Sequence, residues 1–270
     1  MLETRLVCGR LCYRSWGAGG DVVLLHGLLG NSAQWAAAAE RLAPRFRCWA
    51  LELPGIGASA RPRDLALHGL TAWLEMACAS LPLGEQFELI GSSWGGALAL
   101  DFAARSRMRG RVRRLVLVAP AHPLWTPTRS QRFMLRALPA RAGAWLGAHA
   151  SAPVHRALLE RIYGDPRKLP AASVSEYGQT LRQPGLGAAV AGLARHFRAD
   201  RAALIAALPG LRAPTLLVWG DRDPVVPAAT AARLQAALPE AEMKLLPGLG
   251  HLPFCEDPDG FVGAVLAFLR

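Results

Sequence analysis

Val22 to Leu25 and Leu115 to Ala119 are unbroken apolar runs of strand length, while the segments between them repeat apolar residues every three or four positions. An unbroken short run fits a strand covered on both faces, and the longer spacing fits a helix with one buried side. Read this way, the chain begins with strands at Thr4 to Val7 and Leu11 to Trp16, joined by a turn at Gly9, then Val22 to Leu25. A helix over Ala33 to Leu42 follows, with Asn31 or Ser32 able to cap it. Strands at Arg47 to Leu51, Phe87 to Ile90 and Val112 to Ala119 then alternate with helices at Leu70 to Leu81 and Gly95 to Ala104. After Pro120 the rhythm stops. From His122 to about Ala203 there are only helical pieces broken by prolines such as Pro123, Pro153, Pro166, Pro170 and Pro184. It resumes with a strand at Thr215 to Trp219, a helix at Ala228 to Leu238, a strand at Met243 to Leu246 and a helix at Asp259 to Leu269. This order predicts an α/β fold: a mostly parallel eight-stranded sheet with helices on both faces. Residues 1–121 and 205–270 form the core, and 122–204 a helical cap inserted into it.

One pentapeptide sits where a strand turns into a helix. Gly91-Ser92-Ser93-Trp94-Gly95 fits G-x-S-x-G, a tight turn that pushes a serine hydroxyl into the open. The glycines relieve crowding, and the helix N-terminus behind offers free N–H groups to a developing negative charge. A hydroxyl is a weak nucleophile without a base. Of seven histidines, His26 abuts the first loop and is expected to shape its turn. His68, His122, His149, His155 and His196 fall in loops or the insertion, where solvent exposure is the plain expectation. His251 leaves the last strand at the edge where the serine turn lies, the carboxyl edge at which open α/β sheets bind ligands. The carboxylate to orient it comes from Gly220-Asp221-Arg222-Asp223-Pro224. Asp223 is preferred; Asp221 is the competing choice, able instead to cap the loop or pair with Arg222.

Composition narrows the setting. A chain of 270 residues with 52% apolar content has ample material for a core. No apolar run approaches the roughly 20 residues of a membrane helix, and Glu3, Arg5, Arg10 and Arg14 interrupt any signal-peptide pattern. A soluble, cytoplasmic protein is the default expectation. Five scattered cysteines suggest neither a disulfide framework nor a metal pair, though Cys255 lies four residues after His251. There is no H-E-x-x-H, and the glycine-rich turn lacks the lysine of a phosphate loop. No metal and no cofactor are expected.

The net charge of +11 carries no helix-turn-helix, zinc-finger or aromatic RNA-binding pattern, and only two of the 31 basic residues are lysine. Nucleic acid is therefore not the expected partner. The charge is concentrated: residues 122–204 hold eleven arginines and Lys168 against Glu160, Asp165, Glu176 and Asp200. A solvated surface explains this, and so does an anionic partner such as a carrier-borne acyl group, an acyl-CoA or an anionic lipid surface. Aromatic residues of the insertion, among them Trp125, Phe133, Trp145, Tyr163 and Tyr177, are candidates to line an apolar cavity, with plain packing the alternative for each.

The order Ser93, Asp223, His251, with His26-Gly27 and Gly30 after the third strand and Leu53-Pro54-Gly55-Ile56-Gly57, resembles the α/β-hydrolase superfamily. The resemblance covers about residues 1–121 and 205–270. It implies an oxyanion hole from the backbone N–H groups of Leu28 and Trp94. It also implies that Glu52 stands where an aspartate is more usual. A serine at 93 argues against the haloalkane dehalogenases and epoxide hydrolases of this fold, which use aspartate. The implied activity is hydrolysis of a carboxylic ester or thioester, on a small-molecule acyl substrate. Carbon–carbon bond hydrolases share the triad but carry tryptophan where Leu252 stands. Proline iminopeptidases share Ser93-Trp94-Gly95 but not the first loop. A non-catalytic binding protein on the same fold is the remaining alternative. Biotin-pathway methyl-ester esterases of this superfamily resemble the layout, with a basic cap facing an acidic carrier.

Overall fold

The computed structural model describes residues 11–125 and 149–270. The strand expected at Thr4 to Val7, Cys8, Phe133 and Trp145 lie outside these. Among the described residues seven strands form one sheet: β1 (Tyr13–Trp16), β2 (Gly20–Leu25), β3 (Phe46–Leu51), β4 (Phe87–Ser92), β5 (Val112–Val118), β6 (Thr215–Gly220) and β7 (Glu242–Leu246). Their spatial order is β1-β3-β2-β4-β5-β6-β7, with β1 antiparallel to β3 and every other pair parallel. These seven correspond to seven of the eight strands expected from the pattern.

The continuous apolar runs split cleanly between two faces. Val23, Leu25, Leu115, Leu117, Leu217 and Trp219 join one buried cluster, and Val22, Leu24, Val116, Val118, Leu216 and Val218 the other. Alternate residues of a strand point to opposite faces, so a sheet covered on both sides needs apolar residues at every position. The first face is covered by α2 (Leu67–Ser80), α3 (Ser93–Arg105) and α7 (Ala231–Ala237). The second is covered by α1 (Ala36–Leu42) and by α9 (Pro258–Phe268), which pack on each other. Trp35 stacks on Phe254 at 3.9 Å between centroids beneath this pair. Asn31, one of the two expected caps, accepts the Ala33 N–H and opens the short 3-10 turn before α1.

Between β5 and β6 the described chain is helical: α4 (Ala152–Glu160), α5 (Ala171–Leu181) and α6 (Leu186–Ala207). The last of these continues past residue 204, the expected end of the insertion, and packs on α2 and α3. This segment serves both faces, with Leu186, Ala189 and Leu193 in the first cluster and Leu159, Tyr163, Leu169 and Val174 in the second. Tyr163 is therefore core packing, and Tyr177 meets the ring of His155 edge-on. No helix among the described residues is long and apolar enough to cross a membrane.

Candidate active site

The sheet register brings the ends of five strands to one line. Leu25 pairs with Gly91, Ser92 with Val118, Val118 with Val218, and Gly220 with Leu246. The loops that follow these residues carry His26 to Leu28, Ser93, Pro120 to His122, Asp223 and His251, so all of them emerge at one edge. That edge is built by a parallel topology alone.

Ser93 is the first residue of α3 and has φ of 51°, a left-handed conformation that a residue with a side chain adopts only under constraint. The constraint is the tight packing around it. A Cβ on Gly95 would fall 2.4 Å from the His26 carbonyl, and one on Gly27 would fall 2.9 Å from the Ser93 Cβ. The backbone of the first loop thus lies directly against the serine. Trp94, as the second residue of α3, has an N–H with no acceptor one turn back in the helix. Leu28 follows Gly27 in the loop against Ser93. The Ser93 carbonyl accepts the Ala121 N–H at 2.8 Å, tying the serine turn to the loop after β5.

The two aspartates of the β6 loop occupy different places. Asp223 is 5% exposed; its Oδ2 meets His251 Nδ1 at 2.8 Å, and its Oδ1 accepts the Val225 and Val226 N–H groups at 2.7 and 3.0 Å. Asp221 is exposed and accepts the Gly248 N–H at 2.7 Å. Asp223 is thus the aspartate that meets His251, and Asp221 braces the neighbouring loop. Trp219 donates its indole N–H to the Val226 carbonyl at 2.8 Å and so fixes the turn beyond Asp223.

His26 is fully buried and bonded on both ring nitrogens: Nε2 accepts the Leu53 N–H at 2.9 Å, and Nδ1 faces the Gly27 carbonyl at 2.8 Å. The Leu53 donor leaves the ring proton on Nδ1. Burial holds the pKa of His26 down, consistent with a neutral ring that staples two loops. Glu52 proves to be a similar brace. Its Oε1 accepts the Ser32 N–H and hydroxyl, and its Oε2 accepts the Ala58 N–H.

Two histidines expected at the surface are buried. His155 is 2% exposed within the helical segment, and His122 is 1% exposed. The His122 ring meets Trp219 edge-on, and its Nε2 lies 3.1 Å from Thr230 Oγ1. The Thr230 hydroxyl donates to the Pro227 carbonyl, so its oxygen accepts and the His122 proton resides on Nε2. His122 and Asp200 both line a small cavity beside Trp94, Leu67 and Ala97. Burial pushes the His122 pKa down to about 4, with Arg201 and Arg233 adding to the effect. Loops are usually wet, and the packing that covers His122 comes from residues about a hundred positions away, so its burial was illegible locally. Cys255 donates to the Gln34 carbonyl at 3.3 Å, and burial raises its pKa.

A doubly covered parallel sheet with a strained serine and a buried histidine–carboxylate pair at one edge defines a class of α/β enzyme. A family model for the alpha/beta hydrolase fold matches residues 21–258, and the chain belongs to that family. It is 32% identical over 260 residues to the pimeloyl-[acyl-carrier protein] methyl ester esterase of Nitrosomonas europaea, covering 91% of this chain and 94% of the relative. Among solved structures, a thermophilic esterase from Thermogutta terrifontis matches with a TM-score of 0.77 at 25% identity, over 100% of this chain and 97% of that one. The 2-hydroxy-6-oxo-6-phenylhexa-2,4-dienoate hydrolase of Rhodococcus sp. strain RHA1 shares the fold, with a TM-score of 0.79 at 22% identity over 100% and 98% of the two chains.

Proposed function

We propose that this α/β hydrolase cleaves a carboxylic ester or thioester through an acyl-enzyme on Ser93. The observation that carries the reading is the buried 2.8 Å bond between Asp223 and His251 Nδ1, at the edge where Ser93 is held at positive φ. With Nδ1 occupied, Nε2 is the nitrogen left to take the Ser93 proton. Ser93 Oγ then bonds to the substrate carbonyl carbon, and the carbonyl oxygen becomes an oxyanion received by the Leu28 and Trp94 N–H groups. Collapse expels the alcohol or thiol, which takes the proton from His251. Water repeats the sequence with His251 again as base and releases the acid.

The relatives support ester chemistry, since one close in sequence is named for a methyl ester and a structural neighbour for an esterase. The dienoate hydrolase supports the fold alone, and Leu252 stands where carbon–carbon hydrolases of this superfamily carry tryptophan. For the partner, the reading favours an acyl group borne on an acidic carrier, met by a helical cap over residues 122–204. Arg156, Arg161, Arg167, Lys168, Arg182 and Arg195 are exposed on that segment, and an acyl-carrier protein is the partner that the Nitrosomonas relative's name supplies. A cytoplasmic setting is part of this reading, and the buried free thiols of Cys48 and Cys78 agree with a reducing compartment.

The test is a fluorophosphonate label and a panel of p-nitrophenyl and thioester acyl chains, on wild type and Ser93→Ala. The label is expected on wild type only, with hydrolysis reduced at least about 1,000-fold in the variant. Labelling that persists in Ser93→Ala overturns the nucleophile, and turnover of dienones without esters overturns the bond type.

A further inference from the structure

His251 is gripped from a side that its bond to Asp223 does not account for. Glu256 ends the short helix α8 (Pro253–Glu256) and is 6% exposed. Its Oε1 accepts the Gly250 N–H at 2.8 Å, and its Oε2 accepts the Gly164 N–H at 2.8 Å and the Asp165 N–H at 3.5 Å. Gly250 is the residue before His251, and Gly164 lies in the turn between α4 and α5. The same turn receives the His251 N–H through the Ile162 carbonyl at 2.8 Å. Both N–H groups around the Gly250–His251 peptide are therefore engaged, one by Glu256 directly and one by the turn that Glu256 holds.

The three segments meet backbone to backbone. A Cβ on Gly164 would stand 2.6 Å from the Gly250 nitrogen, and one on Gly250 would stand 2.4 Å from both the Gly164 nitrogen and the Ile162 carbonyl. On the far side, a Cβ on Gly220 would reach 2.2 Å from the Gly250 carbonyl. The end of the Asp223 strand, the histidine loop and the turn of the helical segment are thus stacked with no space for a side chain. A buried carboxylate is unfavourable unless its lone pairs are used, and here backbone donors use them. Burial still raises the Glu256 pKa, and the Gly164 and Gly250 N–H groups pull against it.

We infer that Glu256 is a positioning residue for His251, and that it works by locking the histidine loop to the 162–165 turn of the helical segment. The inference rests on the reading of His251 as the base. A base must stand within hydrogen-bond reach of the serine, and displacement by about 1 Å costs on the order of 100-fold in rate. Asp223 fixes the ring's direction and tautomer; the Glu256 clamp fixes where the ring's backbone stands.

The experiment compares Glu256→Ala, Glu256→Gln and Gly164→Ala with wild type, with His251→Ala as the floor. Each is assayed with p-nitrophenyl butyrate and fluorophosphonate well below its melting temperature. Glu256→Ala is expected to lower kcat and the rate of Ser93 labelling together by about 100-fold, with KM within about twofold. Gln keeps one acceptor in place and is expected to recover about tenfold of that loss. Gly164→Ala reproduces the fall in kcat with Glu256 untouched, because its Cβ displaces the turn. Folded Glu256→Gln and Gly164→Ala proteins with wild-type kcat, or losses confined to KM, overturn the clamp. If His251→Ala alone loses activity, the clamp falls and the base stands. If His251→Ala is fully active, the base falls and the clamp with it.

Discussion

Asp221 and Asp223 stand two residues apart, yet their surroundings give them separate work. Asp223 is buried, and its two oxygens are shared between His251 and a pair of backbone N–H groups. Asp221 is in solvent and holds one exposed bond to Gly248. Asparagine at 223 keeps the shape but offers an N–H or a weaker acceptor to the ring, so it disturbs the tautomer as well as the charge. Asp223→Asn is therefore expected to lower kcat by about 1,000- to 10,000-fold with little change in melting temperature. Asp221→Asn is expected to stay within about threefold, since an exposed bond contributes about 1 kcal/mol or less. Steady-state kinetics on the two variants checks this, and equal losses would refute the assignment. The candidates were legible as a pair from the turn chemistry of the sequence. What separated them was burial, with Asp223 at 5% exposure and Asp221 in solvent, and burial is set by tertiary packing rather than by the loop's own residues.

At the scale of elements, the loop after β5 couples the serine turn to the β6–β7 half of the sheet. Its Ala121 N–H holds the Ser93 carbonyl, and its His122 is wedged against Trp219 and Thr230. The His122 pKa of about 4 lies below the unfolded value of about 6.5. The unfolded chain therefore takes up a proton that the folded one refuses as pH falls. The contribution to stability is complete above about pH 6.5 and is lost on descent toward about pH 4, amounting to about 2–3 kcal/mol. Denaturant unfolding of wild type and His122→Asn from pH 7 to pH 4.5 should show wild type losing more stability by about that amount. Parallel curves would sink the idea. Elements of regular spacing, such as α3 and the doubly buried β4 and β5, were legible because their signals are local. The burial of His122 and His155 was not, for each is covered by segments distant in sequence. Glu256 left a faint trace, an acid placed directly after the apolar Leu252-Pro253-Phe254-Cys255 run, but its partner turn lies some ninety residues upstream.

For the whole molecule, the proposed chemistry and the excess charge fall in different parts of the chain. The core carries Ser93, Asp223 and His251, the proposed nucleophile, acid and base, whereas most of the net charge of +11 sits between β5 and β6. Attraction between such a surface and an acidic carrier is screened over a Debye length of about 10 Å at 0.1 M salt. Raising NaCl from about 20 to 200 mM is expected to lower kcat/KM on a carrier-borne methyl ester by about tenfold or more. The same change should leave p-nitrophenyl butyrate nearly unaffected; equal salt responses would remove the carrier from the proposal. The architecture was readable from rhythm alone because a parallel sheet repeats one unit. The seat of the helical segment on the histidine loop was not, because it is made by glycines and backbone atoms, which leave no side-chain pattern. That seat has a practical consequence for recombining hydrolases. A helical segment grafted from a relative must bring a turn thin enough to fit where Gly164 meets Gly250. A donor with any side chain there is expected to push the Gly250–His251 peptide, and with it the proposed base, out of place.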